Sequence, residues 1–319
     1  MDSSHRSADD ETSDPGTSPD WVAPPNGPDV WQPSSAPKRR VALPLTLFAL
    51  TCLSTFWTGS VRAEPFSDGE RLAAFDPRAG VTYMLCVMSI LLAHEMGHFL
   101  TALYHRVPAS LPYFIPMPLL PLGTMGAVIG MQGSQADRKQ LFDIGLAGPI
   151  AGLLLAVPIS WYGIATAVPY EGVARPTLVL HDPYIFQWLA HKLHPDWSAS
   201  QVCAANPYYL AGWLGMLITG LNMLPISQLD GGHTAYGLFG RNARVLGRGF
   251  FIYALWSVTL DGQSQWVVML VILFLLGIDH PPTRNDSVRI GALRWIVGFL
   301  ALLIPLGCLT PMPISVGLP

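Results

Sequence analysis

Half of the 319 residues are hydrophobic and only 12% are charged, with a mean hydropathy of +0.37. That composition excludes an ordinary soluble domain, in which charged residues make up about a quarter of the chain. The 18 Lys and Arg against 21 Asp and Glu give a net charge of -3 and form no dense basic cluster, which excludes nucleic acid as a partner. Residues 1–37 carry seven acidic residues against one Arg, are rich in Ser, Pro and Gly, and show no apolar period. They are expected to form a disordered tail, whose acidity argues against an organelle transit peptide. After Lys38, Arg39 and Arg40 an apolar run over 41–61 is long enough to cross roughly 30 Å of hydrocarbon as a helix. A cleaved signal peptide is the rival reading, because Val61-Arg62-Ala63 resembles a small-residue cleavage site, but a polar leader of about forty residues is unusual before one.

Further apolar stretches at 80–104, 141–168, 207–226, 249–260, 265–278 and 290–309 predict an all-α polytopic membrane protein of about six to seven transmembrane helices. The pair at 249–278 is short and could instead be tilted, interfacial or an irregular hairpin. Threading with the tail in the cytoplasm puts 13 Lys and Arg inside and leaves Arg62, Arg71, Arg78, Arg175 and Lys192 outside, as the positive-inside rule expects. Between the second and third spans, 111–130 holds Pro112, Pro116, Pro118 and Pro121 and then GTMGAVIG, so it is apolar without being a continuous helix. Such backbone survives at membrane depth only where protein buries it or it lines a cavity, which makes it the candidate wall of a site; an interfacial loop is the alternative. In the outer loop 169–206, Ile185, Trp188, Leu189 and Leu193 fall at helical spacing and predict a short amphipathic helix lying on the membrane.

The second span, 80–104, contains LLAHEMGHFL, in which His94, Glu95 and His98 sit inside apolar sequence. Ionisable groups are costly there and therefore point to function, the bland alternative being polar contacts between helices. One helical turn separates the two imidazoles, so both can reach one Zn²⁺ while Glu95 beside them takes a proton from water. A catalytic zinc needs a third protein ligand. Position 104 is Tyr, which excludes the extended three-histidine motif, and Glu171 threads to the opposite side. Asp230 remains, in LNMLPISQLDGGH after the span 207–226, where Pro225 breaks the helix and Gly231 and Gly232 free the backbone to turn the carboxylate inward. The ordinary reading of such an Asp is a helix cap. His233 could support the site, although a simply packed histidine is the commoner reading.

The pair of motifs, H-E-x-x-H at His94 to His98 and N-x-x-P-x-x-x-L-D-G at Asn222 to Gly231, resembles the site-2 protease family of intramembrane metalloproteases. LTCLSTFWTGS in the first span, and PYFIPMP followed by GTMGAVI, resemble the branch of that family without a PDZ insert. The resemblance spans about residues 45–285. It implies that His94, His98 and Asp230 bind one Zn²⁺ per chain, that Glu95 is the general base and acid, and that Asn222 holds the substrate carbonyl or oxyanion. A hydrogen bond between helices is the alternative role for the Asn222 amide. It also implies that 111–130 is a membrane-re-entrant hairpin whose edge pairs with an unwound substrate strand. GPIAG at 148–152 resembles a family feature too, though its small residues equally suit close helix packing.

The expectation is an integral membrane metalloprotease domain over 38–319 that cleaves in or near the transmembrane segment of a membrane protein, expected to be a single-span one. The rivals are a catalytically silent scaffold that binds membrane helices and a zinc or proton transporter. A short, compact chain with an acidic tail is expected in a bacterial inner membrane, N-terminus cytoplasmic and site toward the cytoplasmic side.

Overall fold

The computed structural model describes residues 41–63, 73–118, 122–170, 179–197, 202–204, 206–260, 266–310 and 312–315; the tail expected over 1–37 lies outside them, as do Pro121 and Glu171. Three described helices are long and apolar enough to cross a membrane: α1 (Ala42–Ser60), α2 (Pro77–Tyr104) and α3 (Arg138–Ala165). Their bounds follow the apolar runs, and their starts follow cap chemistry. Asp76 accepts from the backbone N–H groups of Arg78 and Ala79 at 2.9 and 3.2 Å with Pro77 at the first helical position. Asp137 and Gln140 form a reciprocal capping box at the start of α3.

The remaining helices are shorter. They are α4 (Tyr184–Leu193), α5 (Pro207–Asn222), α6 (Asp230–Phe239), α7 (Ala243–Leu260), α8 (Val267–Leu276), α9 (Ala292–Ala301) and α10 (Ile304–Cys308). The apolar stretch 290–309 is therefore two short helices, and 265–278 holds one of 10 residues. The chain is mostly helical, but it also has short strands. These pair antiparallel as β1 (Val61–Ala63) with β2 (Ala73–Phe75), β3 (Tyr113–Met117) with β4 (Gly123–Val128), β5 (Val168–Tyr170) with β7 (Val202–Ala204), and β6 (Val179–Leu180) with β8 (Ile314–Ser315).

The core lies where α2, α3 and α5 meet. Ala211 to Leu217 of α5 are buried on every side, as expected of a helix that is apolar all round. Asn206 caps α5 and donates its amide to the Gly163 carbonyl at 2.8 Å, fixing the start of α5 to the end of α3. The predicted amphipathic helix exists as α4, but Ile185, Leu189 and Leu193 pack against this core, leaving Trp188 as the exposed member of the four. Most of its apolar face thus packs against protein.

The proline- and glycine-rich segment forms the β3–β4 hairpin, with a register shift between Phe114 and Pro116. It leans on α1: Phe48 and Phe114 meet edge to face at 5.1 Å, and Ser54 Oγ donates to the Gly123 carbonyl at 2.6 Å. Tyr83 of α2 donates to the Leu122 carbonyl at 2.9 Å. Gly123 has φ +76°, and a Cβ there would lie 2.9 Å from the Thr55 Cα. Gly123→Ala is therefore expected to combine backbone strain with a clash that α1 cannot relieve, destabilising by about 1–3 kcal/mol. A lower thermal midpoint for the detergent-purified variant checks this.

Candidate metal centre

His94, Glu95 and His98 lie in the middle of α2 and are buried, at 2%, 3% and 5% exposure. Asp230 reaches them by a break in the helical path. α5 ends at Asn222, Met223 to Leu229 run irregularly, and Asp230 begins α6. The break needs the residues that flank it. A Cβ on Gly231 would lie 2.0 Å from the Met223 carbonyl oxygen and one on Gly232 2.3 Å from that of Ser227. Arg138 then ties α6 to α3 by donating to the carbonyls of Gly237 and Leu238 at 2.7 and 2.6 Å, near the helix C-terminus where a cation is favoured.

The result is one cluster of donor atoms. His94 Nε2 lies 3.1 Å from Asp230 Oδ2, His98 Nε2 lies 3.2 Å from Asp230 Oδ1, and the two Nε2 atoms are 3.2 Å apart. Ligand atoms placed tetrahedrally about 2.0–2.1 Å from one zinc are separated by roughly 3.3–3.4 Å. Two imidazoles and a carboxylate at that spacing fit the ion, and His94, His98 and Asp230 are positioned to hold a metal. The His98 tautomer agrees: Nδ1–H donates to the Ile144 carbonyl at 2.8 Å, leaving the Nε2 lone pair for a ligand.

A cavity of about 140 Å³ opens on the cluster. Glu95, Asn222, Gln228, His233 and the Ala127–Val128 end of β4 line it with His94, His98 and Asp230. The Asn222 amide is 3.4 Å from His94 Nε2. All five residues singled out in the sequence as ligands or catalytic groups therefore surround one cavity.

The sequence left GPIAG undecided between a site feature and plain packing; in the structure the packing serves the site. A Cβ on Gly148 would lie 2.0 Å from His98 Nε2, and one on Gly152 3.1 Å from His94 Nδ1. Gly97 lets α2 approach in return, since a Cβ there would meet the Ala147 carbonyl oxygen at 2.5 Å. Sequence reasoning missed the Ile144 carbonyl, because a backbone acceptor has no side-chain signature. It also missed His280, which bonds His233 from a distant segment.

The family model for peptidase family M50 matches residues 82–259, which include both motifs. The chain belongs to this family, the site-2 protease family. No PDZ insert occurs among the described residues between α2 and α5. The M50 chain is 33% identical over 234 residues to a protein named "Probable zinc metalloprotease EGY1, chloroplastic" from Arabidopsis thaliana, covering 71% of this chain and 42% of that protein. It is 32% identical over 248 residues to the protein of the same name from Oryza sativa subsp. japonica, covering 75% and 42%. To "Probable zinc metalloprotease EGY2, chloroplastic" from Arabidopsis thaliana it is 28% identical over 235 residues, covering 71% and 41%. The chain thus spans less than half the length of these curated relatives.

These relatives correct the expectation of a bacterial inner membrane, because they are plant proteins named as chloroplastic. The signals behind that expectation were an acidic leader and a compact chain. Both are compositional and carry no address, since any bilayer imposes similar span lengths.

Gly148→Ala is expected to displace His98 from the cluster and abolish stoichiometric zinc binding, with Gly152→Ala intermediate between it and the wild type. Elemental analysis of the three detergent-purified proteins, each checked for monodispersity, reads this order.

Proposed function

We propose that the chain is an intramembrane zinc metalloendopeptidase that hydrolyses peptide bonds in or near transmembrane segments of membrane proteins, with a single-span protein as substrate. The observation that supports this most is the convergence of His94, His98 and Asp230 beside Glu95 on a helix long enough to span a bilayer. His94 lies ten residues before the end of α2, so the site sits about 15 Å along the helix axis from that end. Besides α1, α2 and α3, we assign α5 and the α7–α8 and α9–α10 pairs to the membrane, which brings the count to the six or seven of the apolar pattern.

His94, His98 and Asp230 would hold one zinc per chain. When bound, zinc supplies Lewis acidity that polarises the scissile carbonyl and activates water for attack. Glu95 accepts the proton of the attacking water and delivers it to the leaving amine. Asn222 would lose His94 Nε2 as an acceptor once that lone pair is engaged by a metal ion. Its amide is then free to donate to the carbonyl oxygen as negative charge develops, a contribution of about 2.7–4 kcal/mol for a donor so placed.

A transmembrane substrate arrives as a helix, whose carbonyls are tied up in its own hydrogen-bond ladder. We place the β3–β4 hairpin within the membrane as the re-entrant element that receives the unwound strand. Its exposed Ile115, Met125 and Val128 suit apolar surroundings, and the Ala127–Val128 end of β4 already lines the cavity. Adding a strand there would hold the scissile bond extended beside Glu95.

The test is cleavage of a single-span protein co-reconstituted with the chain in liposomes. Glu95→Gln is expected to keep zinc and lose cleavage, and Asn222→Ala to lower turnover by about 10²–10³. Wild-type cleavage by Glu95→Gln, or metal-dependent flux across the liposome without cleavage, would overturn the proposal and favour a transporter.

A further inference from the structure

Asp230 is clamped from both sides by a segment far away in sequence. Ser227, three residues before it, is 2% exposed and has φ +55°, a left-handed conformation that residues with a side chain rarely adopt. What holds it there is the turn after α8. Ser227 N–H donates to the Ile278 carbonyl at 3.1 Å, and its Oγ–H donates to the Gly277 carbonyl at 2.5 Å. On the other side, His233, three residues after Asp230, bonds His280 through Nδ1 and Nε2 at 2.7 Å.

The direction of that second bond is fixed by its neighbour. His280 Nδ1 lies 2.5 Å from the Pro281 carbonyl oxygen, which can only accept, so His280 Nδ1 carries the proton. Burial pushes the His280 imidazole below its ordinary pKa and keeps it neutral, and its Nε2 is then an acceptor. His233 Nδ1–H must be the donor. Three donors on the Asp230 loop therefore meet three acceptors on Gly277 to His280. His280 also stacks on Tyr236 of α6 at 4.5 Å, and Asp279 pairs with Arg248 of α7 at 2.5 Å. Close contact completes the wedge on the far side, where a Cβ on Gly145 of α3 would come within 2.6 Å of the His233 Cβ.

We infer that Gly277–Pro281 is a positioning strap for the third metal ligand: Ser227 and His280 are positioning residues that set the approach of the Asp230 carboxylate to His94 and His98. The strap lies outside residues 82–259 matched by the family model. It continues directly from α8, whose Val271, Phe274 and Leu275 are exposed, so a displacement of α8 would pull on the metal ligand. The inference rests on the zinc reading of the same site.

The experiment uses the full chain in detergent and measures zinc affinity by competition with a chromogenic chelator, with the visible d–d spectrum of the cobalt-loaded protein as a second readout. Ser227→Ala and His280→Leu are each expected to weaken zinc by about 10-fold, the lower end of the loss seen when a group bonded directly to a ligand is removed, because both act on Asp230 through the backbone that carries it, and to shift the cobalt bands. His280→Gln, whose carboxamide oxygen can take the place of the Nε2 acceptor, should restore most of the affinity. Unchanged affinity and cobalt spectra in Ser227→Ala and His280→Leu would overturn the strap. If His280→Leu is not monodisperse, His280→Gln is compared with His280→Asn, whose amide is too short to reach His233; equal affinities would overturn it as well. Wild-type protein that binds no zinc overturns the metal reading itself, and the strap with it.

Discussion

The close approach of α2 and α3 is the constraint on which the rest of the structure depends. Two imidazoles on one face of α2 need a facing surface with no side chains of its own, and Gly148 and Gly152 of α3 provide it while Gly97 of α2 admits the α3 backbone. The same approach brings the Ile144 carbonyl to His98 Nδ1 and so settles which nitrogen is free to bind a metal. Caps at Asp76 and Asp137 set where each helix begins and therefore how these residues line up. A side chain larger than hydrogen at Gly148 would not loosen this arrangement by degrees; it would occupy the place of the His98 ring.

From that contact the site grows outward by bringing in chain that is not helical. α5 is surrounded by protein, yet it stops at Asn222, and the irregular residues after it carry the carboxylate back toward α2. Buried polar backbone persists only when its groups are bonded. The β3–β4 hairpin meets that need by pairing with itself and by receiving the Ser54 and Tyr83 hydroxyls. The Asp230 loop meets it through the turn after α8. On the side where α3 begins, Asp143 takes two bonds from Arg294 at 2.7 and 3.0 Å and one from His105 at 3.1 Å, joining α9 to the end of α2.

Much of this was legible in the sequence, and the pattern of what was not is physical. Apolar length located α1, α2 and α3 to within a few residues because a membrane span is set by a single dimension. Regular spacing gave His94, Glu95 and His98, and Pro225 with Gly231 and Gly232 gave a turned-in Asp230. Helix count was harder: apolarity alone does not reveal that α8 stops at Gly277 after 10 residues, or that 290–309 breaks ahead of Pro305 into α9 and α10. The amphipathic spacing of α4 was legible, whereas the core that takes up its Ile185, Leu189 and Leu193 was not, since an apolar face does not announce what will cover it. Gly148, Gly152, Ser227 and His280 act through contacts with residues distant in the chain, and no local pattern encodes those. The expectation of a bacterial inner membrane failed for a different reason: an acidic leader is not an address.

The proposed zinc ligands are the imidazoles of His94 and His98 and the Asp230 carboxylate, with no sulfur among them. Zinc K-edge X-ray absorption on the zinc-loaded wild type and on Asp230→Asn tests this set most directly. The expected result for the wild type is one zinc with the multiple scattering of two imidazoles, nitrogen and oxygen donors at about 2.0–2.1 Å and no sulfur near 2.3 Å, and for Asp230→Asn a loss of zinc under the same loading. A sulfur shell, a single imidazole, or an unchanged spectrum in Asp230→Asn would contradict it.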